Sequence, residues 1–202
     1  DYVANSLKKI AAEKQSAICG SLMINENEKF FNRFLIVKPN GENSSYDKHH
    51  LFSLGDEHNH YSSGKNELVF ELNGWKIKPM ICYDLRFPVW SRNRLINGEA
   101  EYDVLLYVAN WPEKRKQAWK TLLPARAIEN QCYVVAVNRV GIDGVGMDYH
   151  GNSMVINCMG AHLFHNEGDE VIETVALNKE LLESTRQSVP FLKDGDKFLM
   201  ND

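Results

Sequence analysis

Cys82 closes an apolar run, and Tyr83, Asp84, Leu85, Arg86 and Pro88 follow at once. A strand that ends in cysteine and turns sharply presents its thiol at a rim. The following N–H groups and a helix N-terminus then point the same way and favour a thiolate. This is the logic of a nucleophile elbow, with the Tyr83 N–H as an oxyanion donor. The same stretch also suits a small buried core residue, because free cysteine is often buried.

Two further stretches carry groups that such a thiol would use. Lys48, in "YDKHHLF", sits between a strand and an irregular loop. Most lysines are solvated surface charges. A lysine beside a thiolate would instead stabilise it and the oxyanion of a tetrahedral intermediate. Glu57, in "GDEHNHYSSG", suits either a positioning carboxylate for a lysine or substrate amide, or a solvated loop residue. His49, His50, His58 and His60 match no tight metal-ligand spacing, so they read as loop histidines that shape a pocket or bond backbone. Trp111, in "NWP" after a strand, suits a pocket wall or core packing equally.

The elements that must hold these groups follow from periodicity. Apolar spacing predicts helices over 3 to 14, 88 to 96, 114 to 131 (with a bend or break at Pro124) and 178 to 187. Strands are predicted over 16 to 24, 30 to 39, 67 to 72, 75 to 82, 103 to 109, 132 to 138, 153 to 157, 161 to 164 and 171 to 177. Asn73-Gly74 marks a hairpin between two of them. Helices alternate with strands and hairpins and no linker is visible. The expectation is one α/β domain of mixed sheets with helices outside.

The 202 residues can bury one sizeable core. A net charge of -4 leaves no basic footprint for nucleic acid or a membrane surface, and no apolar run could span a bilayer. The four cysteines lack paired spacing, which suits reduced thiols in the cytoplasm.

Taken in order, "YDKHHLF", "DEHNHYSSG", "ICYDLRFPVWSRN", "VANWPEKR" and "LLPARAIENQCYVVAVNRVG" resemble the nitrilase superfamily of carbon–nitrogen hydrolases. The chain is most similar to the omega-amidase group, over about residues 3 to 187. The resemblance implies a four-layer α-β-β-α sandwich and a Glu-Lys-Cys triad in a thiol-dependent amidohydrolase. Its substrate would be the omega-amide of a short α-keto acid, of the α-ketoglutaramate type, and it would need no cofactor or metal. A homodimer packed through helices is implied too, with 88 to 96 and 114 to 131 as the candidate helices.

Cys82 matches the nucleophile of that triad, Lys48 its lysine, and Glu57 a second glutamate of the family. The triad glutamate itself matches no position. The expectation is therefore a single domain over 1 to 202 that lacks its first strand-helix-strand segment and is inactive alone. Glu129 matches a different family position and is expected to pair with Arg126 or Arg86. Asp84, Arg86 and Pro88 are expected to fix the turn after the cysteine. For Arg86 a structural salt bridge is the first expectation and a substrate-carboxylate contact the second, while Trp111 and His58 join it as pocket candidates. Rival readings are a ureido-acid hydrolase or nitrilase of the same superfamily, a non-catalytic interaction member, and a redox thiol protein.

Overall fold

A computed structural model of the chain describes residues 2–200. In order these form α1 (Tyr2–Lys14), β1 (Ile18–Glu26), β2 (Lys29–Val37), β3 (Asn43–Asp47), α2 (Glu57–His60), β4 (Phe70–Leu72), β5 (Trp75–Ile81), β6 (Leu95–Ile96), β7 (Glu99–Ala100), β8 (Val104–Ala109), α3 (Lys116–Glu129), β9 (Tyr133–Asn138), β10 (Val140–Ile142), β11 (Asp148–Ile156), β12 (His162–Glu167) and α4 (Lys179–Ser188).

Three two-residue turns set the hairpins. Asn27-Glu28 joins β1 to β2, Asn73-Gly74 joins β4 to β5, and Asn97-Gly98 joins β6 to β7. All six residues have positive φ, from 50° at Asn73 to 86° at Gly98. That backbone twists with the flanking strands, and asparagine and glycine tolerate it best.

One sheet is antiparallel, in the order β1-β2-β3. A larger one runs β10-β11-β9-β8-β5-β4, with β12 beside β11, and β6 and β7 pair apart from both. The centre of the larger sheet is parallel: β5 pairs with β8, and β8 with β9. Central parallel strands are covered on both faces and read as near-continuous apolar runs, as "VLLYVA" and "YVVAVN" do. Helix α1 lies against β1 and β2, β2 faces β5, and α3 covers β9 and β11. The layers thus run α-β-β-α. Phe34, Met80, Leu85, Tyr107, Trp119 and Leu123 are fully buried between them.

The expected elements shift in four places. No helix forms over 88 to 96; the segment turns and ends in the β6–β7 hairpin. Asn93 explains why. Its backbone N–H donates to Asn130 Oδ1 (2.8 Å), and its side chain donates to the carbonyls of Tyr102 and Asn130. Such side-chain bonds to backbone compete with helix.

The strand expected over 171 to 177 is irregular, with Ile172 fully exposed. β4 begins at Phe70 rather than residue 67; Glu67 lies ahead of it and pairs with Lys78. Helix α3 runs unbroken through Pro124, carried by a face on which Trp119, Leu123 and Ala127 are buried.

Candidate active site

Strand β5 ends at Ile81, and Cys82 opens a single turn of 3₁₀ helix to Arg86. Cys82 has φ +47°, a left-handed backbone that costs a non-glycine residue about 1 kcal/mol or more. The strain is held by Asp84. Its Oδ2 accepts the Ile81 N–H at 3.0 Å, which folds the turn back onto the strand end. This is the elbow that the sequence suggested, with its thiol lining an open cavity. The Tyr83 N–H lies in the first turn, where such groups have no acceptor within the helix.

Lys48 follows β3 directly and is only 1% exposed. Its Nζ lies 2.5 Å from Glu57 Oε2, which also accepts the Phe52 N–H at 2.7 Å. A buried ammonium needs such a partner. The Lys48 carbonyl accepts the Gly64 N–H at 2.9 Å. A Cβ at Gly64 would lie 2.1 Å from the Asp47 carbonyl oxygen, so only glycine lets these two segments approach.

Asp84 also ties the lysine segment to the elbow. Oδ2 accepts from Tyr46 (2.7 Å), while Oδ1 takes the His50 N–H (3.0 Å) and lies 2.9 Å from His50 Nδ1. Trp90 Nε1 donates to the same Tyr46 oxygen. His49 stacks on Trp90 and His50 on Phe87, each with ring centres 3.7 Å apart. These two histidines hold loops together, as expected of them.

Lys48, Glu57 and Cys82 share one cavity of about 670 Å³. It opens at the carboxyl ends of β5, β8 and β9, where α/β sheets build their sites. Burial pushes the Cys82 thiol up to about 11. Lys48 and a backbone hydrogen bond with Asn110 pull it down, while Glu57 and Asp84 add to the rise. Desolvation wins, so at neutral pH the resting group is a thiol and reaction needs a proton acceptor.

The structure sorts the remaining candidates. Trp111 is both a cavity wall and 4% exposed, so its two readings hold together. Arg86 makes no ion pair among the described residues; its guanidinium lies over the Trp111 ring at 5.0 Å and lines the cavity, against the salt bridge expected first. His58 is exposed on α2 and does not line the cavity. A one-turn helix points consecutive side chains different ways, and Glu57 takes the inward direction. Glu129 pairs with Arg126 at 2.9 Å, as expected.

Sequence reasoning passed over Asn138 and Arg115. Asn138 holds Trp111 from both sides, accepting its N–H (2.7 Å) and donating to its carbonyl (3.0 Å). A polar residue ending the apolar run "YVVAV" was the available signal.

This arrangement belongs to a recognisable class. The model of the carbon–nitrogen hydrolase family matches residues 2–187, and the chain belongs to that family. It is 45% identical to the omega-amidase YafV of Yersinia enterocolitica over 98% of its own length and 76% of that protein's. It is 36% identical to a 2-oxoglutaramate amidase of Bacillus subtilis over 97% and 75%. A crystal structure from Xanthomonas campestris superposes with a TM-score of 0.97 at 42% identity, over 98% of this chain and 76% of that one. That protein is a CN-hydrolase superfamily member with an arsenic adduct in its active site.

Proposed function

We propose that the chain hydrolyses the side-chain amide of a short α-keto dicarboxylic monoamide, of the α-ketoglutaramate type, through a thioester on Cys82. The observation that carries this is the strained elbow of Cys82 facing the buried Lys48–Glu57 pair in one cavity. The names of the relatives point to the same substrate class.

In the first half, a base takes the thiol proton and Sγ attacks the amide carbon. Lys48 Nζ and the Tyr83 N–H stabilise the oxyanion. The proton passes to nitrogen, the carbon–nitrogen bond breaks and ammonia leaves. In the second half, the base removes a proton from water, hydroxide adds to the thioester, and the carboxylic acid departs as the thiol regains its proton.

We assign the base to a carboxylate other than Glu57. Oε2 of Glu57 is already engaged by the Lys48 ammonium and the Phe52 N–H, so its role is to hold the lysine. Four unpaired cysteines suit a reducing cytoplasm. No helix among the described residues is long and apolar enough to cross a membrane. A homodimer rests on the resemblance, with α3 as the remaining candidate helix.

Cys82→Ala tests the reading. It should abolish ammonia release from α-ketoglutaramate in protein whose thermal transition stays near the parent's. Cys19→Ala, Cys132→Ala and Cys158→Ala should keep turnover if folded. Retained activity in Cys82→Ala would remove the nucleophile, and faster release from ureido acids than from the keto-acid amide would reassign the substrate.

A further inference from the structure

The chain carries a net charge of -4, yet its cavity is cationic. Lys48, Arg86, Lys114, Arg115 and Arg139 line it, against two carboxylates, Glu57 and Asp143. Both carboxylates are engaged. Asp143 accepts the N–H groups of Val145 (3.0 Å) and Met147 (2.8 Å) and the Tyr149 hydroxyl (3.0 Å). The surplus positive charge faces whatever enters, and an anion gains most from it.

The arginines divide cleanly. Arg33, Arg94, Arg126 and Arg186 bind carboxylates, and Arg92 donates to the Glu129 carbonyl. Arg86, Arg115 and Arg139 have no side-chain acceptor among the described residues, and all three line the cavity. Each guanidinium lies over a ring instead: Trp111, Phe52 and Tyr149, at 5.0, 5.0 and 4.8 Å. A ring contact supports the guanidinium without using its N–H groups, which stay free for bidentate carboxylate binding.

Among the three, Arg115 is the best placed. Arg86 and Arg139 are exposed, where solvent screens them; Arg115 is half-buried. Its carbonyl accepts the Trp111 indole N–H at 2.8 Å, and its own N–H donates to the Pro112 carbonyl at 3.0 Å. The ring beneath it, Phe52, is tied by its N–H to the glutamate that holds Lys48. The Arg115 main chain is thus fixed and its guanidinium rests on a ring tied to the Lys48 pair, which limits the freedom lost when it binds.

We infer that Arg115 reads the carboxylate of the substrate, the end remote from the amide, and so sets the preference for anionic amides. This rests on the amide reading above and adds the residue that selects within it. Arg115→Gln, Arg115→Lys, Arg86→Gln and Arg139→Gln would be compared with the parent on α-ketoglutaramate and on butyramide, a neutral amide. Arg115→Gln should lower the kcat/KM ratio of the anionic to the neutral amide roughly 10- to 100-fold, mainly through KM, the scale of one lost charged hydrogen bond. Arg115→Lys should recover part of it, and the other two variants should change it less.

A second readout does not depend on turnover. Alkylation of Cys82, located by mass spectrometry, would be timed with iodoacetate and iodoacetamide, and Arg115→Gln should slow the anionic reagent relative to the neutral one. If α-ketoglutaramate is not a substrate but this reagent preference still falls, the activity reading fails and the anion site stands. An unchanged ratio in both assays, or a larger fall in Arg86→Gln or Arg139→Gln, overturns the role of Arg115.

Discussion

Lys48, after β3, and Lys78, inside β5, are each 1% exposed and each paired with a glutamate. Around Lys78 the charges close on themselves. Its partner Glu67 also binds Arg94, Arg94 binds Glu101, and the ammonium lies 5.7 Å from the centre of the Tyr102 ring. Around Lys48 the set is open: one glutamate, then the cavity and the Cys82 thiol. Burial and pairing alone therefore do not mark a catalytic lysine. What separates the two is that Lys48 borders the cavity that Cys82 lines, while Lys78 does not.

The sharpest way to break this comparison is to neutralise both. Lys48→Gln should cut kcat by about 10² or more, the effect of losing one oxyanion donor. Lys78→Gln should leave kcat of the folded protein within a few-fold. Both should lower stability by up to about 3 kcal/mol, because each leaves a partly buried glutamate without its cation. Steady-state ammonia release with denaturant melts separates the two effects. Equal losses of kcat would show that both lysines act through the fold.

Sequence alone would not have separated these lysines either. Lys78 lies in the apolar strand "WKIKPMI" and Lys48 in a polar loop, so only Lys78 would have been guessed buried, yet both are. Lys48 was legible only through its motif, because its environment is assembled from segments distant in the chain. The elbow was different: an apolar run, cysteine, then Asp84 is a local pattern, and Asp84 makes a local bond to the Ile81 N–H.

The same distinction explains the misread helix. Asn73-Gly74 was recognised because apolar alternation flanks it. Asn97-Gly98 makes the same turn, but the strands on either side are two residues each and show no period. Arg115 was missed because a free guanidinium is defined by partners it lacks, which no spacing records.

A finer contrast uses the thiol as a reporter. With its pKa raised to about 11, the thiolate fraction of Cys82, and hence its alkylation by iodoacetamide, should rise with pH across the neutral range. Lys48 lowers that pKa and Glu57 raises it. At fixed pH, Lys48→Gln should therefore slow alkylation and Glu57→Gln should speed it. The change is about threefold per unit of pKa displacement, once the weaker nucleophilicity of a more acidic thiolate is allowed for. Glu67→Gln, at the closed network, should do neither. Slower alkylation in Glu57→Gln would mean that this glutamate acts mainly by holding Lys48 in place.

The smallest expected effect belongs to Glu129, a carboxylate that was expected to pair with an arginine. It sits on the last turn of α3 and holds Arg126, three residues back, at 2.9 Å. Arg126 is 4% exposed, but its other arm donates to the Leu85 carbonyl at 2.7 Å, so the guanidinium keeps a partner when the carboxylate is neutralised. Glu129→Gln also retains an oxygen that can accept from Arg126. The loss should be about 1 kcal/mol, that of weakening one charge-assisted bond at a half-exposed site. Turnover should stay within about twofold, because the pair faces the core behind the elbow and does not line the cavity. A tenfold loss of kcat with an unchanged melt would place Glu129 on the proton path and reopen the assignment of the base.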